Sequence, residues 1–347
     1  MATAWFVLLG FMLIVYVVLD GFDLGSGALH LFVARRDDER RTVLAAIGPL
    51  WNGNEVWLLA AGGLLVFAFP RAYAVAFSGF YLPLVLVLWL LILRGISIEF
   101  RSHQANPLWR QFFDAVFALS SAVLALVLGV ALGNVLRGVP IDAGGSFAAP
   151  LFTNFGITGD LGAIDWYTLS VGVFALVVLA AHGAMFLRWK TEGEVHARAT
   201  RLARRTWPAV AALALAVTFE TACVSPALFA RFGARLGLWV LPMAAVGGIV
   251  AVFVALARGW ELGGFLASAL VITALLGISA GALYPLILPS SIDPAFSIDI
   301  DGAANEHAGL VIGLTWWIPS ILLAAGYFTY VFRAFRGKVT LDADDHS

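Results

Sequence analysis

The segment Trp51-Asn52-Gly53-Asn54-Glu55-Val56-Trp57 puts a carboxylate inside a long apolar stretch. An acid in hydrocarbon is costly unless it is paired, hydrated or protonated, so one kept there either moves protons or ions, or ties helices together. Counted from Val43 along one continuous helix, Asn52 lies ~13 Å and Glu55 ~18 Å deep. That depth puts Glu55 near the midplane of a ~30 Å hydrocarbon core. Asp20 and Asp23 stand three residues apart, on one helix face near the inner end of the first apolar run. Arg94 closes another run, where it either snorkels to the interface or pairs with a buried acid. Glu99 lies just beyond it, and His103 one turn further.

Histidines could hold a haem between helices, but a bis-histidine site needs two at matched depth. Of His30, His103, His182, His196, His307 and His346, only His182 falls deep in an apolar run. The expectation is that this chain ligates no haem and that His182 is a hydrogen-bonded packing residue. Cys223 is the single cysteine, so there is no CxxC metal site, no CxxCH attachment and no intrachain disulfide. No metal site is expected.

The elements that must position these groups are membrane helices. Hydrophobic residues make up 61% of the chain and charged residues 12%, with mean hydropathy +0.92. Soluble domains carry about 25% charge, so the composition is that of an integral membrane protein. The apolar runs are continuous rather than alternating, which excludes a β-barrel and predicts an all-α chain. Nine spans of about 20 residues or more are expected: near 5–33, 43–69, 73–98, 112–136, 166–188, 206–229, 237–257, 262–287 and 309–333. The first is too long for a simple span and continues past the interface. No cationic segment precedes it, so it reads as a retained span rather than a cleaved signal.

Net charge is −1, which excludes a nucleic-acid partner. With the N-terminus outside, seventeen of the 21 Lys and Arg residues fall on the cytoplasmic side, and only Arg71, Arg137, Arg231 and Arg235 outside. That asymmetry predicts a cytoplasmic C-terminus. Residues 137–165 and 288–308, rich in Gly, Pro, Ser and Asp, read as external loops. With no room for a soluble domain, the single membrane unit 1–347 must do its chemistry within the bilayer or borrow it from a partner.

Several motifs together resemble subunit II of cytochrome bd-type quinol oxidases. They are Leu19-Asp20-Gly21-Phe22-Asp23-Leu24-Gly25, the Trp51–Leu58 segment, Ala76-Phe77-Ser78-Gly79-Phe80-Tyr81 and the stretch from Arg94 to Arg101. Gly133-Asn134-Val135-Leu136-Arg137-Gly138-Val139-Pro140, His182-Gly183-Ala184, Lys190-Thr191-Glu192-Gly193 and Pro289-Ser290-Ser291 follow in the same order. The resemblance spans all nine predicted helices. It implies two four-helix bundles plus a peripheral helix, in a bacterial cytoplasmic membrane. It further implies a pseudo-symmetric heterodimer with subunit I, which in that family carries two b-type haems, haem d and the quinol-oxidising loop. The complex takes electrons from quinol, reduces dioxygen to water and draws protons from the cytoplasm. The chain alone would be inactive. Small single-helix subunits, lipid and, in some members, a structural quinone in subunit II complete the implied partners.

Family members can carry a proton-relaying aspartate directly after the first Trp of the second-span motif, where this chain has Asn52. An amide cannot exchange a proton at accessible pH. Glu55, three residues on and ~4.5 Å deeper on the same face, is placed to take over the relay. Glu99 matches a second family acid, so His103, Glu99 and Glu55 form a series of increasing depth. Asp20, Asp23 and Arg94, with Trp51 and Trp57, are the expected structural and ion-pairing groups. The alternative is an ion-coupled secondary transporter with Asp20, Asp23, Glu55 and Arg94 lining its site. It lacks the paired, interrupted helices of inverted repeats.

The charge asymmetry is directly testable. A topology reporter fused after Lys338 should be active in the cytoplasm, and one inserted near Gly145 should be active outside; swapped activities would rule out the nine-span arrangement.

Overall fold

The computed structural model describes residues 1–339, so His346 lies outside the described residues. The chain is built almost wholly of helices. They begin with α1 (Ala2–Val33), α2 (Asp37–Ile47), α3 (Trp51–Ala68), α4 (Pro70–Gly79), α5 (Tyr81–Phe100) and α6 (Pro107–Arg137). There follow α7 (Trp166–Lys190), α8 (Gly193–Val224), α9 (Pro226–Gly233), α10 (Val240–Arg258) and α11 (Glu261–Leu283). A two-stranded antiparallel hairpin, β1 (Leu286–Leu288) and β2 (Ile298–Asp299), sets Leu286 opposite Asp299 and Leu288 opposite Ile298 across a bulge. The short α12 (Ile300–Ala303) and the long α13 (His307–Ala334) complete the described chain.

Among the described residues, eight helices are long and apolar enough to cross a membrane: α1, α5, α6, α7, α8, α10, α11 and α13. The second apolar stretch, expected as one helix over 43–69, is divided. Its first part belongs to α2, a turn spans Gly48-Pro49-Leu50, and α3 begins afresh at Trp51. Pro49 cannot donate to a preceding carbonyl, so the helix is interrupted there. The remaining α3 falls short of the other eight in hydropathy because Asn52, Asn54 and Glu55 crowd its start. The third stretch divides likewise, with α4 ending at Gly79 and α5 starting at Tyr81. A Cβ at Gly79 would run into the ring of Phe147, so the 137–165 loop passes where a side chain would stand. The sixth helix starts at Gly193 rather than near 206, and the eighth ends at Leu283 rather than 287, where the hairpin takes over.

α1 is the central post. At about 48 Å it exceeds the ~30 Å core, and it packs against α3, α6, α7 and α11. Its contact with α7 is the closest in the molecule: a Cβ at Gly25 would overlap the Leu179 carbonyl, and one at Gly183 would overlap the Gly25 backbone. Only glycine lets the two backbones approach this far. α13 is the opposite case. Many of its large side chains face outward, and its inward contacts include the Trp5 Nε1 bond to the Leu310 carbonyl (3.2 Å), Trp317 against Phe11 and Phe328 against Trp57.

The two long loops, 137–165 and 288–308, lie on one end and bond to each other, Val139 N–H to the Pro289 carbonyl and Ser291 N–H to the Val139 carbonyl, both at 2.9 Å. The Arg137–Asp165 ion pair closes the first loop at its base. At the opposite, basic end, Glu39 accepts from the backbone N–H groups of Arg35 (2.6 Å) and Arg36 (3.1 Å) and from Arg198 Nη1 (2.7 Å). It thereby joins α2 to α8.

Burial opposes ionisation of Glu39, but Arg198 and the two backbone donors outweigh it and hold the carboxyl down to about 2. A lowered folded-state pKa stabilises above the unfolded value of about 4.3 and loses that contribution as pH falls toward 2. Glu39→Gln should therefore lower the thermal midpoint by a similar amount at pH 7 and pH 5, with the difference shrinking only below pH 4. A difference that vanishes already at pH 5 would show that the Glu39 contacts do not act in this way.

Candidate functional site

Polar residues recur along α1 at heptad-like spacing. Tyr16, Asp20, Asp23, Gly27 and His30 form one stripe, and all five are buried. α5 answers with Leu90, Arg94 and Ser97 in the same register, and Arg101 just past its end continues the stripe. Its other faces are lipid-type surface: Leu88 and Trp89 are exposed.

Where the stripes meet, the fully buried Arg94 gathers two carboxylates. Its Nη2 stands 2.7 Å from Asp20 Oδ1 and 3.1 Å from Glu55 Oε2. Glu55 remains 21% exposed while Asp20 and Arg94 are sealed. One residue before Glu55, Asn54 Nδ2 donates to Asp23 Oδ2 at 2.7 Å and to the Leu19 carbonyl at 3.3 Å. Ser97 Oγ donates to the Arg94 carbonyl at 2.6 Å. Arg94 Nε and Nη1, Asp20 Oδ2, Asp23 Oδ1, Asn54 Oδ1 and Tyr16 Oη are buried with no hydrogen-bond partner. Each such atom costs roughly 1–3 kcal/mol. Arg94, which never gives up its charge, is shared by two carboxylates, Asp20 and Glu55. A proton can therefore enter or leave while Arg94 keeps a carboxylate partner.

A second buried cluster sits further along the stripes toward the basic end. Asp114 Oδ1 meets His30 Nε2 and Arg101 Nε, each at 2.7 Å, while Oδ2 meets Arg40 Nη1 at 2.9 Å. Asp37 then links Arg101 (2.7 Å) to Arg110 (2.9 Å). It bolts α1, α2, α5 and α6 together.

The structure thus brings Asp20, Asp23, Glu55 and Arg94 together, adding Asn54 and Tyr16. Asn52 points outward, off the cluster. The turn at 48–50 also changes the depth: Glu55 lies four residues, about 6 Å, into α3, not ~18 Å along an unbroken helix from Val43. Glu99 and His103 are exposed, and His103 Nδ1 bonds the Glu99 carbonyl at 2.9 Å rather than its carboxylate. Glu99 is five residues from Arg94, about 140° around α5, so it faces away from the cluster. Trp51 lies over Gly95 of α5, and Trp57 packs between Phe11 and Phe328. The missed residues carried a signal, since Tyr16, Asp20, Asp23 and His30 share one face of α1. Asp114 carried none beyond being an acid near the start of an apolar helix.

Two histidines, His182 and His30, are buried and hydrogen-bonded. Buried His182 donates from Nε2 to the Val18 carbonyl (3.0 Å), and its Nδ1 stands 2.6 Å from Ser268 Oγ. It ties α7 to α1 and α11. His30 is committed to Asp114 through Nε2. Among the described residues, no group of three or more His, Cys, Asp or Glu could hold a metal ion.

Eight apolar helices around buried, paired charges define a polytopic α-helical membrane protein. The family model for the cytochrome bd terminal oxidase subunit II matches residues 1–335, and the chain belongs to that family. It is 31% identical to the probable cytochrome oxidase subunit 2 of Haemophilus influenzae and 30% identical to the cytochrome bd-I ubiquinol oxidase subunit 2 of Escherichia coli strain K12. Both alignments cover 99% of this chain and 97% of the relative. The cytochrome bd ubiquinol oxidase subunit 2 of Bacillus subtilis is 30% identical, over 95% of each chain. The fold is similar to a chain of the bd oxidase from Geobacillus thermodenitrificans, with TM-score 0.74 and 18% identity, over 96% of this chain and 98% of that one.

Removing the guanidinium would leave two carboxylates buried without a counter-charge, a change that typically costs roughly 3–5 kcal/mol. Arg94→Leu should sharply lower the thermal midpoint and the yield of folded protein, and adding Asp20→Asn should restore part of both. An Arg94→Leu protein as stable as the wild type would show that the pairing is not what holds α1, α3 and α5 together.

Proposed function

We propose that this chain is the non-haem-ligating subunit of a quinol:oxygen oxidoreductase in a bacterial cytoplasmic membrane, and that it passes protons from the cytoplasmic side toward a haem-bearing partner. The relatives named as ubiquinol oxidase subunits, aligned over nearly the whole chain, support the class of reaction. The observation that carries the proton role is Arg94 shared between Asp20 and the partly exposed Glu55. Two b-type haems and haem d, held by subunit I in this family, would supply the electron transfer and oxygen reduction.

In this reading α3 is a ninth span. Its polar start is tolerated because Arg94 neutralises Glu55 and Asn54 satisfies Asp23. The spans form two four-helix bundles, and the outward-facing α13 suits the peripheral position. The N-terminus is outside and the C-terminus cytoplasmic, as the positive charges require. The outward apolar faces meet lipid, subunit I, small single-helix subunits and quinone.

His103 and Glu99 stand at the cytoplasmic mouth at the end of α5. Glu55 is the exchanging acid at the cluster, Asn52 the neutral residue where an acid is dispensable, and Asp20 and Asp23 the groups that share its proton. Arg94 fixes the carboxyls in place. The open side of Glu55 is where the proton leaves for the partner.

Glu55→Gln keeps size and hydrogen bonding, and it leaves Arg94 paired with Asp20. It should lower quinol-driven oxygen consumption by the assembled oxidase at least about tenfold, ~1.4 kcal/mol on the limiting barrier, with assembly and haem spectrum unchanged. Glu99→Gln should slow turnover less, because bulk water can substitute at the mouth. Asn52→Asp in the Glu55→Gln background should recover part of the rate. Wild-type turnover in Glu55→Gln would reduce Glu55 to a packing acid.

A further inference from the structure

An apolar groove of about 740 Å³ runs between α1 and α11, reaching at its inner end Leu19, the residue before Asp20. Its floor includes Gly10, Ile14 and Val18 of α1 and Gly277 and Gly281 of α11, and its mouth holds Arg235. From Thr3 to Leu19 the α1 wall is about 24 Å long, more than one leaflet's ~15 Å of hydrocarbon. The missing side chains at Gly10, Gly277 and Gly281 hold it open. A cavity of this size accommodates a substantial apolar molecule.

The mouth is cationic without an anion. Arg235 Nη1 and Nη2 donate to the carbonyls of Gly281 and Tyr284, at 2.9 Å each, and the guanidinium lies 4.7 Å from the Tyr284 ring. Those bonds use two of five N–H donors. The carbonyl end of α11 offers only about half a negative charge. Arg231, four residues earlier, has a buried Nε with no hydrogen-bond partner. Among the described residues neither arginine forms an ion pair. On the external side, where only four of the 21 basic residues fall in the charge count, an arginine without an acid at the mouth of an apolar groove, with a second four residues away in sequence, is out of place as a solvated charge.

We propose that this groove is a binding site for one anionic phospholipid, with an acyl chain between α1 and α11 and the phosphate at Arg235 and Arg231. Guanidinium N–H groups match phosphate oxygens in charge and geometry. A neutral quinone ring would leave both arginines uncompensated, and a zwitterionic headgroup would bring its own cation to them. The lipid seals and stabilises the α1–α11 seam.

The test uses the complex purified in mild detergent, washed free of loosely held lipid, with the remaining lipid and quinone quantified by mass spectrometry. Wild-type protein should retain anionic phospholipid, and Gly10→Leu and Arg235→Gln should each retain at least threefold less. A Cβ at Gly10 meets only Ala280, at 4.0 Å, so leucine there fills the groove without touching the arginines. Gly10→Leu therefore decides the matter even if Arg235→Gln fails to fold. Adding phosphatidylglycerol to delipidated wild-type protein should raise its melting temperature more than phosphatidylcholine does, and Gly10→Leu should abolish that difference. Retention of a quinone or a zwitterionic lipid in place of the anionic one, unchanged retention in Gly10→Leu, or equal responses to the two added lipids would each overturn the proposal.

Discussion

A guanidinium that cannot lose its charge is buried completely between apolar helices, and it must find carboxylates there. Arg94 draws them from two other helices, Asp20 from α1 and Glu55 from α3. That demand sets the register of α1 against α5 and of α3 against both, since a one-residue slide would carry an acid about 100° around its helix and out of reach. It also accounts for a helix as polar at its start as α3. Asn54 and Glu55 are tolerable because each lands on a partner already waiting at the junction.

The same logic repeats toward the basic end with a different sign balance. At the first cluster one cation serves several acids; at the second, Asp114 serves His30, Arg40 and Arg101. The first junction thus leaves acid in excess, whereas at the second several cations hold one carboxylate. The two clusters lie on the same stripes of α1 and α5. α6 is pinned at both ends, by Asp114 near one and by Arg137 with Asp165 at the other.

Against these ionic junctions, the rest of the chain is held by close backbone packing. Gly25 and Gly183 bring α1 and α7 together, and His182 fastens that contact to α11 through Ser268. α13 has no comparable attachment, and its broad apolar surface is the natural place for lipid or another subunit.

Composition and run length alone determined that this is a helical membrane protein, because apolar residues in continuous runs have only one way to satisfy their backbone in hydrocarbon. They also located most of the helices and singled out Asp20, Asp23, Glu55 and Arg94, since an ion in such a run stands out from every neighbour. What the sequence could not give was partnership. Arg94 read equally as a snorkelling end residue until α1 and α3 were seen to deliver acids to it. Asn54, Tyr16, His30 and Asp114 were unremarkable one by one; the fold sets the first two at the Arg94 cluster and the last two together at the second. The break at Gly48-Pro49, which moved Glu55 from mid-span to the second turn of α3, was equally a matter of tertiary structure. Residue type decides what a group can do in the membrane; which groups it does it with depends on helix rotation and register, which long-range packing alone supplies.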